Sequence, residues 1–184
     1  GATQWEAALA GNPYLKTIVP ISGTTSTKTL LFKNGSAEAR SQVMHGAYFI
    51  NIVDFDESDA DHVCPDVADG FTRGERTYLE PRIDPDMDYW NERDYRQRSI
   101  DNYQGSVYFV QGLQDWNVDS HMIFPLYQQM KDAGFDVKGI FGQWGHDYPD
   151  QWQKHDDIDK NNGGTAFPQM TRWDWGQDLF EWFE

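Results

Sequence analysis

Basic residues are scarce in this sequence: 15 Lys and Arg stand against 30 Asp and Glu, which gives the 184 residues a formal net charge of −15. Nucleic acids and anionic membrane surfaces repel a protein of this charge, so neither is expected as a partner. Long apolar segments are absent as well, since the sequence has no run of about 18 apolar residues that could span a bilayer. These absences indicate a soluble protein whose target is neither a membrane nor a nucleic acid.

Cysteine is almost absent, with Cys64 alone in the chain. A single thiol excludes an intrachain disulfide and leaves the redox compartment open. Gly1 is not followed by the charged and then apolar segments of a secretory signal,. A cytoplasmic location is favoured on these grounds, but export stays open because we expect the true N-terminus to lie upstream of Gly1, for a reason given below.

Alternating carboxylates over residues 54–62 raise the question of a metal site, because hard cations prefer oxygen ligands,. An EF-hand loop requires glycine at its sixth position and glutamate at its twelfth. Counted from Asp54, those positions hold Asp59 and Pro65,. The segment is therefore interpreted as a solvated acidic loop, and no metal and no cofactor are expected for the chain.

What the sequence does contain is the strongly apolar segment SVYFVQGLQDWN. Four β-branched or aromatic residues between two glycines predict a buried parallel strand over 106–111. A helix is predicted next, with Asp119 or Ser120 as its N-cap and Gly134 after its last turn. Asp115 therefore lies on a strand-to-helix loop, which is where open α/β sheets bind their ligands.

A second strand, predicted over 137–141, runs into the glycine-flanked imidazole of His146. An acid and a histidine after successive strands, in that order, are the last two members of the Ser…Asp…His order of α/β-hydrolases. We therefore expect Asp115 to accept a hydrogen bond from one ring nitrogen of His146, so that the other nitrogen can take the proton of a serine. The alternative is that Asp115 is only a turn residue, as aspartates in such loops often are.

Four segments of the sequence stand out as motifs: GLQDWNV at 112–118, GQWGH at 142–146, LKTIVPISG at 15–23 and YWNERDY at 89–95. They resemble segments of the Xaa-Pro dipeptidyl-peptidase-like hydrolases, peptidase family S15, to which cocaine esterase and the α-amino-acid ester hydrolases also belong. The first two resemble the acid and histidine motifs of the family, and the third resembles the strand after its nucleophile helix. The resemblance implies a serine hydrolase that cleaves amide or ester bonds through an acyl-enzyme, with no cofactor.

No G-x-S-x-G motif occurs in the chain, and the resemblance suggests why. The nucleophile of the family lies in G-x-S-Y-x-G, and Gly1-Ala2-Thr3 resembles the end of that motif. We therefore expect the serine just before Gly1, together with the missing N-terminal half of the same catalytic domain. The fold that the resemblance implies is α/β, a partial α/β-hydrolase containing the last strands of its parallel sheet.

Residues 24–104 differ in character from their flanks, because long polar stretches rich in Asp, Gly and Pro separate two helical segments, at 37–50 and 89–98. So long an excursion between neighbouring strands far exceeds the usual connection and is typical of a functional lid. We interpret it as an inserted, mainly helical cap, with 1–23 and 105–184 forming the α/β-hydrolase core.

Three further residues are candidates for substrate binding. Trp90 and Arg93, with Asp94, are spaced to share one helical face, and for them we favour structural docking of the cap over a contact with substrate. Trp116 follows the predicted acid, and we favour packing that shields the acid from water over a place in the pocket wall. The remaining histidines lack such placement and are interpreted as surface or cap residues: His45, His62, His121 and His155.

The sequence leaves the substrate open between Xaa-Pro peptides and small esters or acyl-amino acids, so the expected partner is a peptide or a small ester or amide. The rival hypothesis is a non-catalytic, hydrolase-like module that keeps the fold for binding or interaction. The presence of both Asp115 and His146 favours the enzyme.

Overall fold

A computed structural model of the chain describes residues 1–37, 86, 88–115, 117–150 and 172–184. Cys64, Trp116 and most of the predicted cap therefore lie outside the described residues. Contacts divide the chain into two compact units, one formed by 1–27 and 93–184 and the other by 28–92. The division into a core and a cap at 24–104 stays a prediction.

The described chain contains both helices and strands, most of them short. In chain order the elements are α1 (Ala2–Leu9), β1 (Thr17–Ile18), α2 (Thr27–Leu31), β2 (Phe32–Lys33), β3 (Ser36–Ala37), α3 (Asp88–Asn91), α4 (Arg96–Asn102), β4 (Ser106–Gly112), a 3₁₀ turn (Ser120–Met122), α5 (Ile123–Asp132), β5 (Val137–Gly142) and α6 (Trp175–Phe183).

The sheet of the larger unit has the order β1-β4-β5, and its strands are all parallel. β4 lies in the middle, where Val107 pairs with Ile18 on one side and with Val137 on the other. The ladder between β4 and β5 continues to Gly112 and Gly142, so both strands end at the same edge of the sheet. The predicted α/β class is confirmed, since a parallel sheet and helices are both present in this unit.

Strand β1 is shorter than the predicted strand over 15–21, because a side chain takes over its backbone hydrogen bonds. The amide nitrogen of Val19 donates to Oε1 of Gln4 at 2.7 Å, and Nε2 of Gln4 donates to the Val19 carbonyl at 2.8 Å. Pro20 follows and has no N–H to offer a neighbour. Pairing returns only as an isolated bridge between Ile21 and Val110.

Both faces of the sheet are covered, as the run of apolar residues in β4 predicts. Successive side chains of a strand point to opposite faces, so Val107 and Phe109 enter one core and Tyr108 and Val110 enter the other,. None of the four is more than 1% exposed. The first core also takes buried residues from α1 and α5, namely Trp5, Ala8, Ile123, Leu126 and Met130. The second takes Trp144 and, from α6, Trp175.

Helix α6 is held to the sheet by polar contacts as well as by packing. Nε1 of Trp182 donates to Oγ1 of Thr17 at 2.8 Å, and Nζ of Lys138 donates to a carboxylate oxygen of Asp178 at 2.7 Å. The hydroxyl of Tyr108 donates to the same carboxylate. Burial alone would raise the pKa of Asp178, but the hydrogen bonds from Lys138 and Tyr108 and the nearby positive charges outweigh it, so the pKa is lowered.

The smaller unit contains a hairpin and a cluster of apolar residues. Asn34 and Gly35 connect β2 to β3 with φ angles of +53° and +78°, and two such residues in succession are typical of a two-residue hairpin turn,. Phe32 packs edge to face on Trp90, with ring centroids 5.4 Å apart. Leu31 completes the buried cluster.

One local prediction is wrong, and a second is confirmed only for the position of the residue. The helical segment expected over 89–98 is two helices, since α3 ends at Asn91 and α4 begins at Arg96. The residues between them turn to the segment after β1, where the amide of Tyr95 donates to the Thr25 carbonyl at 2.7 Å. At the start of the helix after β4, Asp119 occupies the N-cap position but makes no capping bond with its side chain.

Candidate active site

The loops that follow β4 and β5 are tied to each other by backbone hydrogen bonds. Leu113 donates to the Gly142 carbonyl at 2.7 Å, and Gln114 donates to the Trp144 carbonyl at 3.0 Å. The loops come this close because Gly112 lacks a side chain. A Cβ atom there would overlap the carbonyl oxygens of Trp144 and Gly145.

These two loops bring the predicted acid and histidine together. Nδ1 of His146 lies 2.9 Å from Oδ2 of Asp115. A carboxylate can only accept hydrogen bonds, so Nδ1 carries the proton, and Nε2 of the neutral ring is left as an acceptor. The Asp115 side chain is fully buried, whereas that of His146 is 42% exposed. The arrangement therefore presents a basic ring nitrogen outward while the acid behind it is shielded from water.

Three more donors fix the Asp115 carboxylate. Oδ1 accepts the backbone N–H groups of Asn117 at 2.8 Å and Val118 at 2.9 Å, which is the hydrogen bonding of an aspartate in a tight turn,. Oδ2, which faces His146, also accepts Nε2 of Gln111 at 3.1 Å. The two interpretations of Asp115 in the sequence are thus compatible, because one oxygen makes the turn and the other holds the imidazole.

Gln111 was not recognised in the sequence as part of this cluster. It is the last side chain of β4 before Gly112, and it is completely buried. The available signal was one amide in an otherwise apolar strand, since a polar group at a buried strand position requires partners. The position of those partners could not be read from the strand pattern.

His146 opens onto a cavity of about 330 Å³. This volume is at the small end of the range of small-molecule sites. The cavity is lined by Gly1, Gln4, Ile21, Ser22, His146, Asp147 and Tyr148.

Ser22, in the cavity wall, has a backbone φ angle of +47°. Its buried hydroxyl makes no hydrogen bond within the part of the chain that the structure describes. Sequence reasoning placed Ser22 only at the end of a strand, because serine carries no local signal of such a conformation.

Asp147 places a carboxyl group in the cavity wall. Burial raises the pKa of Asp147, a positive charge on a protonated His146 would lower it, and the negative charge of Asp115 raises it, so that the pKa is raised. The wall beside the imidazole therefore holds a carboxyl group that takes up a proton more readily than an exposed one.

Arg93, which belongs to the larger unit, does not line this cavity. Trp90 is buried in the smaller unit. Arg93 follows α3 instead of lying on it, so the helical face expected for Trp90, Arg93 and Asp94 does not form. Asp94 instead pairs with Arg96, its carboxylate accepting from the guanidinium at 3.0 and 2.8 Å. Trp116 lies outside the described residues.

His121 is the only other histidine in the described part of the chain. Its side chain is 51% exposed on the 3₁₀ turn, and its Nδ1 lies 3.8 Å from Asp119. Within the described ranges, no three His, Cys, Asp or Glu side chains are grouped as a metal site requires. No helix in the same ranges is long and apolar enough to cross a bilayer.

Residues 1–148 match the family described as X-Pro dipeptidyl-peptidase (S15 family). Two curated Xaa-Pro dipeptidyl-peptidases are similar in sequence. The protein from Ligilactobacillus salivarius (strain UCC118) is 24% identical over 176 residues, which cover 85% of this chain and 22% of the relative. The protein from Lactiplantibacillus plantarum (strain ATCC BAA-793 / NCIMB 8826 / WCFS1) is 23% identical over 174 residues, covering 84% and 21%. The chain thus spans about a fifth of the length of these relatives.

Two solved structures are also similar. An acylaminoacyl peptidase from Pyrococcus horikoshii has a TM-score of 0.44 and 13% identity, covering 76% of this chain and 17% of its own. The L374D mutant of esterase E22 has a TM-score of 0.40 and 10% identity, covering 78% and 52%.

Proposed function

Because the chain belongs to the X-Pro dipeptidyl-peptidase (S15) family, we propose that it supplies the acid and the base of a serine hydrolase that cleaves amide or ester bonds. Asp115 is the acid and His146 is the base. The observation that carries the proposal is the 2.9 Å hydrogen bond between them, made by a fully buried carboxylate and a half-exposed ring. His146 lines a cavity in which we place the substrate carbonyl.

The nucleophile is a serine outside these 184 residues, supplied by the whole protein. Its hydroxyl oxygen attacks the carbonyl carbon of the substrate while Nε2 of His146 takes the hydroxyl proton. His146 then gives that proton to the leaving amine or alcohol, and an acyl-serine remains. A water molecule attacks the acyl-serine and loses a proton to His146, which gives that proton to the serine oxygen as the bond to the acyl group breaks and the acid is released. Asp115 stabilises the imidazolium that forms in each half of the reaction.

Peptides with proline in the second position are the substrates that we propose first, because both curated relatives are named Xaa-Pro dipeptidyl-peptidases. Small esters and acyl-amino acids remain the alternative, since an acyl-serine forms from either kind of carbonyl. A non-catalytic binding module is less well supported. Binding alone gives no reason to hold a buried acid against an imidazole that opens onto a cavity.

The test is hydrolysis by the full-length protein. Purified protein is assayed with an Xaa-Pro anilide and with a small activated ester, and is treated with a fluorophosphonate that labels activated serines. We expect turnover of at least one substrate and labelling, both abolished in His146→Ala. The matched control is His121→Ala, which removes a histidine of similar exposure outside the cluster and should leave both signals unchanged. No turnover and no labelling in the wild-type protein would favour the binding module.

A further inference from the structure

We infer that Gln111 is a positioning residue, whose side-chain amide holds the Asp115 carboxylate in the orientation that His146 requires. The effect of Gln111 on turnover rests on the proposed function, whereas its hydrogen bond to Asp115 is independent of that proposal. Gln111 acts through Asp115, since each hydrogen bond that its amide makes within the described ranges is with the end of β4 or the loop that carries the acid.

The amide of Gln111 connects three oxygens of one loop. Nε2 lies 2.8 Å from the carbonyl oxygen of Val118, 3.1 Å from Oδ2 of Asp115 and 3.2 Å from the carbonyl oxygen of Gly112. These three residues lie at the end, in the middle and at the start of the loop after β4. One side chain from a rigid central strand thus sets the spacing between both ends of the loop and its carboxylate.

The orientation of the amide follows from its surroundings. All three neighbours of Nε2 accept hydrogen bonds, so a flipped amide would place its oxygen against three other oxygens. Oε1 points the other way, where it is buried and has no hydrogen-bond partner among the described residues. A buried acceptor without a partner destabilises the folded state, and an apolar side chain of similar size would avoid that cost. Stability alone therefore does not account for glutamine at this position.

The reason for an amide is found at Oδ2 of Asp115. That oxygen has two side-chain donors, Nε2 of Gln111 and Nδ1 of His146, while Oδ1 is held by the backbone of the turn. If the donor at Gln111 were lost, the carboxylate would be held only by the two backbone N–H groups at Oδ1 and by His146. It could then rotate, and Oδ2 would be less well aligned with Nδ1 of the ring. Because proton transfer depends on a fixed ring, we expect the loss to reduce turnover and not substrate affinity.

The test uses Gln111→Leu in the full-length protein, with Val107→Ala as the matched control. Leucine keeps most of the volume and removes every donor. Val107 is fully buried on the same strand, so its truncation lowers stability without touching the acid loop. The readouts are kcat and KM separately, the melting temperature, and the downfield N–H proton of His146 in protein labelled with ¹⁵N-histidine.

For Gln111→Leu we expect kcat to fall by roughly 10- to 100-fold with KM nearly unchanged, and the downfield proton to broaden or disappear. Val107→Ala should retain the downfield N–H signal of His146. Its kcat, measured below the melting temperature of the variant, should equal that of the wild type. An unchanged kcat and proton in Gln111→Leu would overturn the inference, as would equal losses of kcat in both variants. If the wild-type protein hydrolyses nothing, the proposed function fails, and the N–H proton still decides whether Gln111 holds Asp115 against the ring.

Discussion

Replacing Asp115 by asparagine tests the cluster most directly, because the structure dictates how the new amide must lie. Two backbone N–H groups point at Oδ1, so the amide oxygen has to occupy that place. The amide nitrogen is then left at the place of Oδ2, facing Nε2 of Gln111 and Nδ1 of His146. It is a donor where the carboxylate was an acceptor, and Gln111 cannot turn away without losing the Val118 carbonyl.

The consequence for His146 is a change of tautomer. Nδ1 must accept from the asparagine, so the ring proton moves to Nε2, the atom that we propose takes the proton of the serine. A base of this kind in the wrong tautomer loses about three to four decades of kcat, which corresponds to about 4 to 5.5 kcal/mol of activation free energy. The free energy of unfolding should fall by less, about 1–2 kcal/mol, because the hydrogen bond lost is the one between Nε2 of Gln111 and the atom at the place of Oδ2,.

The assay is steady-state hydrolysis of an activated ester by the full-length Asp115→Asn variant, with a thermal melt on the same preparation. Asp119→Asn is the control, because it makes the same chemical change near the end of the same loop, at an aspartate that lies beside His121. A variant at Asp115 that keeps kcat within about tenfold of wild type while melting normally would refute the assignment of the acid.

Three other changes have defined outcomes. Gly112→Ala should force the two site loops apart, because the added methyl group meets the carbonyl oxygens of Trp144 and Gly145. We expect a loss of about 1–3 kcal/mol in denaturant unfolding and a lower kcat, and a normal melt with normal kcat would contradict the close approach. Asp178→Asn removes the ion pair with Lys138 and should lower the free energy of unfolding by about 1 kcal/mol at neutral pH. The value is modest because the carboxylate is partly exposed,. Since the pKa of Asp178 is lowered from its ordinary 3.8, this contribution is complete above that pH and is lost as the pH falls through the lower folded-state pKa,. Melts of the wild type and the variant should therefore converge in acid, and a constant difference would exclude the ion pair as the cause. Arg93→Ala should lower the melting temperature and leave the ratio of ester to Xaa-Pro peptide hydrolysis unchanged, whereas a change confined to one substrate would place Arg93 in the substrate site.

Much of the cluster could be predicted from the sequence because its signals are local. The apolar run before Gly112 predicts a buried central strand, and β4 ends within a residue of the predicted boundary. The run before Gly142 likewise predicts β5. Parallel strands that are neighbours in the sheet end at one edge, so two polar residues that follow them are brought together by the fold class alone. The pairing of Asp115 with His146 required no knowledge of any contact between distant side chains.

The predictions that failed depend on contacts between segments far apart in the chain. Whether 89–98 forms one helix is decided by the backbone of Thr25, which competes for the amide of Tyr95. The length of β1 is decided by Gln4, which takes both backbone groups of Val19. Propensity and spacing carry no information about such partners, because the free energy of these hydrogen bonds exists only after the segments have docked.

The sequence by itself therefore determined the parallel strands of this protein, the order of its acid and histidine, and the edge of the sheet where they meet. Only the tertiary structure decided how the acid is held. The three oxygens around the amide of Gln111 converge because the loop after β4 folds back on the end of its own strand. A buried hydrogen bond has a direction as well as a partner, and that direction is fixed by the packed backbone.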